Sequence, residues 1–266
     1  MTDKNTKLNP AILYSCYAAT KRSTEQFVQD HSMCYVQSGK LEFQLSDQKL
    51  FYNEGEAFFI RRNVLAKATK HPGANGGFES ISIFFSQDTL KDISLKKELS
   101  AVGNAQQTVP IVSLAADKLL KNYFESLPAY EQESSGSSLV RLKIEEGILL
   151  LLNRQPELQQ VLFDFSEPGK IDLELFMNKH FRFNVAINRF ASLTGRSLAT
   201  FKRDFEKVFH NSPSRWLQNR RLEEARYMIK VKKMKPIDVY LEVGFEDLSH
   251  FSFAFKKTYG VAPSLI

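Results

Sequence analysis

The sequence predicts an α+β protein: a small antiparallel β-domain with a helical hairpin, followed by an all-α part. Three observations predict it. Between residues 12 and 86, short runs of β-branched and aromatic residues alternate with glycine-containing turns. From about residue 88 the apolar spacing becomes helical. Finally, the stretch "FKRDFEKVFHNSPS" at 201–214 returns fifty positions later as "FSFAFKKTYGVAPS" at 251–264.

The strands come first. "MCYVQSGKLEFQLS" at 33–46 carries a turn signal at Ser38-Gly39 and reads as a hairpin. "KLFYNEGEAFFIRRN" at 49–63 repeats that pattern about Asn53-Glu54-Gly55. Two more apolar segments, "VLAKAT" and "GFESISIFFS", flank the loop "KHPGANGG" at 70–77. Many short strands with glycine turns suggest a barrel or sandwich.

Helices follow. "SLAADKLLKNYFESL" at 113–127 and "SSLVRLKIEEGILLLLNRQ" at 137–155 have apolar residues three and four apart, with the break "EQESSGSS" between them. Such a hairpin has apolar surface to cover, by packing on the strands, by pairing with a second subunit, or both. The segment at 156–170 mixes polar residues with Pro156, Pro168 and Gly169 and reads as a linker between a domain at 1–155 and one at 171–266.

After the linker, "IDLELFMNKHF" is an amphipathic helix with Asp172 at its start. "NVAINRFASLTGRSLATFKRDFEKVF" then gives a helix, a turn at Thr194-Gly195-Arg196, and a second helix capped by Ser197. Two helices joined by a short glycine turn form a helix-turn-helix. "SPSRWLQNRRLEEARYMIKVKK" is a long basic helix with Trp216, Leu217, Leu222, Ala225 and Met228 or Ile229 on its apolar side. A second helix-turn-helix follows, with Gly244 in its turn and Asp247 as cap. Phe201 and Phe251, Phe205 and Phe255, Phe209 and Tyr259, and Pro213 and Pro263 all correspond at an offset of fifty, so the unit occurs twice.

Charge separates the two parts. From residue 167 onward there are 18 Lys and Arg against 11 Asp and Glu, whereas the preceding residues carry 18 against 19. The whole excess therefore belongs to the repeated helices, as expected for a partner that is a polyanion such as nucleic acid. No apolar run approaches the roughly 18 residues of a membrane span, and the first ten residues lack the apolar stretch of a secretory leader. Two cysteines, Cys16 and Cys34, give no disulfide framework; they suit a reducing cytoplasm and read as small buried thiols.

From residue 170 to 266 this arrangement resembles the AraC/XylS family of bacterial transcription regulators. The most specific text is "VGFEDLSHFSFAFKKTYGVAPS", which follows the family's pattern of Gly-Phe, a capped recognition helix, Phe-Lys-Lys, an aromatic-Gly pair and Pro-Ser. The strand-rich part resembles the cupin-like sensor domains that many such regulators carry. The resemblance implies double-stranded promoter DNA as partner, RNA polymerase as the target of activation, a small-molecule or protein effector at the N-terminal domain, and a cytoplasmic location; a homodimer and a repressor remain open. It also implies two recognition helices in successive major grooves, about 34 Å apart.

Helix geometry nominates the DNA-facing residues. With Phe201, Phe205 and Phe209 inward, the first unit offers Leu198, Ala199, Lys202, Arg203 and Glu206, and Arg203 can bond guanine O6 and N7 together. The second unit offers Ser249, His250, Ser252 and Phe253. The helix starts at Ser197 and Asp247 present backbone N–H groups to phosphates.

Several positions depart from the family pattern. Phe253 stands where an arginine is usual and can touch only a thymine methyl or pack. Ala191 is kept in the first unit but Tyr240 replaces it in the second, Pro236 replaces an aliphatic residue, and the sequence stops at Ile266, where the family pattern continues with an aromatic residue and an arginine.

Catalysis has no visible carriers. His31 and His71 lie forty residues apart with no His-x-His pair, and His180, His210 and His250 fall in the basic part, so no metal or other cofactor is expected. The sequence shows no phosphate loop, nucleophile elbow or Cys-x-x-Cys. Tyr35, Phe43, Phe58 and Phe59 either line an effector pocket or form plain core. The rival readings are a cupin-type small-molecule enzyme with an incidental basic domain, which needs a metal or acid/base cluster among the strands, and an adaptor that binds polyanions without sequence preference.

Overall fold

The structure is a computed structural model that describes residues 11–23, 26–74, 76–101, 109–115, 117–130, 133 and 137–266. The chain divides into two compact units between Ser166 and Glu167. The first ten residues and most of the break at 131–138 lie outside the described residues. Among the described residues, no helix is long and apolar enough to cross a membrane.

The first unit contains β1 (Ile12–Tyr17), β2 (Lys21–Arg22), β3 (Phe27–Val28), β4 (His31–Ser38), β5 (Lys40–Gln44), β6 (Lys49–Asn53), β7 (Ala57–Ile60), β8 (Val64–Leu65), β9 (Lys67–His71) and β10 (Phe78–Phe85). It continues through α1 (Gln87–Lys97), β11 (Ile111–Leu114), α2 (Lys118–Ser126), α3 (Ser138–Arg154) and α4 (Gln159–Leu162). The strands form antiparallel sheets ordered β1-β10-β4-β7-β11 and β2-β9-β5-β6, with β3 and β8 as a separate pair.

Neither glycine turn closes the hairpin expected of it. β4 pairs with β10 and β7, while β5 pairs with β6 and β9. The turns at Gly39 and Gly55 therefore carry the chain from one sheet to the other and back. The five-stranded sheet is buried on both faces, which explains why six successive residues of β4 are buried with no polar alternation. Met33, Tyr35, Phe59, Ile81 and Ile83 share one core with Leu120 and Phe124 of α2 and Ile144, Ile148 and Leu151 of α3. The alternate residues Cys34, Val36, Phe58 and Ile60 join Leu41, Phe43 and Tyr52 of the other sheet.

Two further expectations change. Residues 113 and 114 belong to β11, and the helix starts only after Asp117, whose carboxylate accepts from the Leu120 N–H at 2.9 Å. The stretch read as linker from residue 156 begins as packed structure. Leu158, Val161, Leu162 and Phe163 are buried in the helix-side core, because their helical spacing outweighs the prolines and polar residues around them. Beyond them, Arg62 donates to the carbonyls of Asp164 at 2.9 Å and Ser166 at 2.7 Å, so the unit's last residues are tied to the loop after β7.

The second unit is all α: α5 (Leu173–His180), α6 (Ile187–Leu193), α7 (Leu198–Phe209), α8 (Pro213–Lys230), α9 (Pro236–Glu242) and α10 (Leu248–Tyr259). The repeat is legible in the backbone. α7 and α10 have equal lengths of 12 residues, begin fifty positions apart, and end on left-handed C-caps at His210 and Gly260, also fifty apart. The turns differ: Gly195 stands two residues before its cap, Gly244 three.

Candidate nucleic-acid interface

The start of each recognition helix is set by its cap. The Ser197 hydroxyl accepts from the Thr200 N–H at 3.2 Å, and the Asp247 carboxylate accepts from the His250 N–H at 2.7 Å. Each cap satisfies one N–H of the first turn and leaves its neighbours free to meet an anion.

Inward-facing rings fix the rotation of the helices. Phe201, Phe205, Phe251 and Phe255 are fully buried, and Phe209 is half-buried against Trp216, with centroids 4.5 Å apart. That rotation exposes Ser197, Leu198, Ala199, Lys202, Arg203 and Glu206 on α7 and its cap. On α10 it exposes Asp247, Ser249, His250 and Phe253, with Ser252 half-buried. Phe253 is 68% exposed, so its ring lies on the outward side of α10. Arg203 is free to reach outward, its nearest acid being Asp204 at 3.8 Å. His250 lies edge-on to Phe245, His180 packs against Phe176 and Phe183, and His210 is the cap of α7.

Behind the exposed side chains, two buried polar centres hold the geometry. In the first unit Arg196 pairs with Asp204 and donates to the carbonyls of Ile171 at 3.0 Å and Thr194 at 2.7 Å. Gly195, at φ +65°, lies so close to Gly169 and Lys170 that a Cβ has no room. At the other centre, Arg221 of α8 donates to the carbonyls of Phe181 and Phe183, both at 2.8 Å, and to Asn184 Oδ1 at 3.4 Å, all in the segment that precedes α6. Burial pushes the Arg221 guanidinium down to about 10, so it stays charged at neutral pH. Sequence reasoning placed Gly195 and Arg196 in the turn but missed Asp204 and Arg221. A signal for Arg221 existed: it falls on the apolar stripe of α8, four residues from both Leu217 and Ala225, where a charge needs buried acceptors.

A family model for the ExsA N-terminal regulatory domain matches residues 31–162, and a helix-turn-helix domain model matches residues 190–265. The chain is 29% identical over 229 residues to the transcriptional regulator ExsA of Pseudomonas aeruginosa, covering 85% of this chain and 82% of that one. It is 29% identical over 231 residues to the virulence regulon transcriptional activator VirF of Yersinia enterocolitica, covering 85% and 84%. The chain belongs to the AraC/XylS family. As a member of that family it is a DNA-binding transcription regulator with an N-terminal regulatory part. Among solved structures, an apo form of ToxT from Vibrio cholerae that carries one substitution aligns over 96% of both chains at 11% identity and a TM-score of 0.47.

The regulatory part of this AraC/XylS member places the other candidates apart from one another. Tyr35 and Phe59 belong to the core under the helices, whereas Phe43 and Phe58 belong to the core between the two sheets, so the four do not line one pocket. His31, at the start of β4, stacks on Phe59 and accepts at Nδ1 from the Arg62 N–H at 3.1 Å; His71, at the end of β9, lies 3.2 Å from Glu42. Among the described residues no group of three His, Cys, Asp or Glu side chains could hold a metal ion. Cys34 is buried, with its thiol pushed up to about 11, but Cys16 is exposed, contrary to the expectation of two buried thiols; its side chain projects from β1 opposite Glu79.

Proposed function

We propose that this regulator activates transcription by docking α7 and α10 in successive major grooves of promoter DNA and presenting the bound complex to RNA polymerase in the cytoplasm. The observation that carries the reading is the pair of capped helices of equal length, each with a buried Phe stripe and an exposed first turn. In this reading Arg203 and Lys202 read bases from α7, supported by Leu198 and Ala199, with Arg203 forked onto guanine. Ser249, His250 and Ser252 make the corresponding contacts from α10, and Phe253 meets a thymine methyl. The N–H groups beside Ser197 and Asp247 hold phosphates.

The working division is a regulatory domain that precedes residue 167 and a DNA-binding domain over 171–266. The regulatory domain receives a small molecule or a partner protein and pairs two copies of the chain. Support for pairing comes from α3, where Leu139, Leu142 and Leu149 are exposed at near-heptad spacing although that helix buries its other face. That the related VirF is named a transcriptional activator supports activation over repression. The test is transcription with purified RNA polymerase from templates carrying genomic fragments the protein retains. A rise in transcript on adding the protein is expected; a fall makes it a repressor.

A further inference from the structure

We infer that Arg221 fixes the separation of the two recognition helices and so sets the half-site spacing that the protein accepts. The inference rests on the reading of α7 and α10 as two DNA readers and adds the residue that sets the distance between them.

α8 belongs to both helix-turn-helix units. Near its start Trp216 packs against Phe205 and Phe209 of the first unit, with centroids 5.6 and 4.5 Å away. Near its end Leu222, Ala225, Met228 and Ile229 join Val239, Val243, Phe251 and Phe255 of the second. Eighteen residues give a rod about 27 Å long that is anchored at both ends. Its apolar anchors resist pulling apart, but packed side chains alone tolerate a roll of one unit against the other.

The midpoint removes that freedom. There the segment joining α5 to α6, residues 181–184, lies between α8 and the turn of the second unit. Arg221 donates to two of its carbonyls and to the Asn184 side chain, Arg182 pairs with Glu224, and Arg220 lies over the Phe181 ring at 4.6 Å. From the other side Gly244, at φ +99°, presses on it so closely that a Cβ would fall 2.6 Å from the Arg182 carbonyl oxygen and 3.0 Å from Arg221 Nε. The planar fork of Arg221 thus bonds the first unit at the place where the second unit's turn backbone presses on it. Several directional bonds from one buried guanidinium fix an orientation as well as a distance. The first unit's turn is held differently, with Gly195 packed on the incoming chain at Gly169 and Lys170.

Spacing matters because each added base pair moves a half-site by about 3.4 Å along the duplex and about 35° around it. A rigid double reader rejects that change unless the DNA deforms, at a cost that corresponds to about tenfold or more in affinity.

The experiment uses the full chain, its own selected site, and duplexes in which the two elements of that site are moved apart or together by one and two base pairs. Wild-type protein is expected to prefer one spacing by about tenfold or more. Arg221→Lys, which keeps the charge but loses the fork, is expected to bind each element with unchanged base preference while discriminating spacings by less than about threefold. Gly244→Ala keeps the Arg221 side chain but crowds both its Nε and the Arg182 carbonyl, pushing the second unit's turn away from residues 181–184, and is expected to move the preferred spacing. It carries the test alone if Arg221→Lys does not fold. Folded variants that retain the wild-type spacing preference overturn the inference about Arg221. A wild-type protein that selects a single element, or is indifferent to spacing, overturns the double-reader reading beneath it.

Discussion

Arg196 in the first turn and Asp204 inside α7 form an ion pair, Nε to Oδ2 3.2 Å, that joins the turn to the helix it introduces. The same carboxylate lies 3.4 Å from Lys170, and Arg196 reaches the Ile171 carbonyl, so the chain entering the DNA-binding unit is bound to its first recognition helix. A displacement of residues 170–171 is thereby felt at α7.

This pair predicts a pH signature. The hydrogen bond from Arg196, aided by Lys170, holds the Asp204 carboxyl below its ordinary value of 3.8. A lowered folded-state value means stabilisation that is complete above the unfolded-chain value and lost as pH falls through the folded one. Asp204→Asn should lower the thermal midpoint at pH 7, and the gap to wild type should close below about pH 4.

His31 titrates with the same overall trend for a different reason. Burial, reinforced by Arg62 and Arg61, pushes it down to about 3. An imidazole kept neutral in the fold but protonated in the unfolded chain costs stability as pH falls from about 6.5 toward 3, on the order of 5 kcal/mol over the whole window. Unfolding titrations of the regulatory part should show this loss, and His31→Gln should remove it.

Arg203→Ala should weaken binding to the selected site by about 1–3 kcal/mol and scarcely change binding to random duplex, as judged by gel-shift titration at fixed salt. Equal losses on both would make Arg203 a phosphate contact.

Phe253→Ala should cost about 1 kcal/mol at one position of the site only, and there only when the base is thymine. Substituting uracil for that thymine should reproduce the loss in wild type and add nothing in the variant.

Leu142→Glu with Leu149→Glu should leave stability within about 0.5 kcal/mol per site, because both side chains are exposed, yet abolish self-association in sedimentation if α3 pairs two copies.

Much of this molecule was legible in its sequence. The fifty-residue offset, the caps Ser197 and Asp247 and the buried Phe stripes all follow from local rules, since caps, periodicity and turns act within a few residues. Sheet pairing did not, because Gly39 and Gly55 signal a turn without saying whether its strands bond each other or different sheets. The packed stretch from Leu158 to Phe163 was hidden by prolines that start helices as readily as they break them. The polar centres at Arg196 and Arg221 were least visible, for their partners are mostly backbone carbonyls, which leave no mark on composition.

The most direct test of the account is selection of bound sequences from random duplex DNA by the purified full-length protein at one moderate salt concentration. Two recurring elements with centres about 10 base pairs apart are the predicted result. Recovery of a single element, or of no preferred sequence by protein that binds random duplex well, would contradict it.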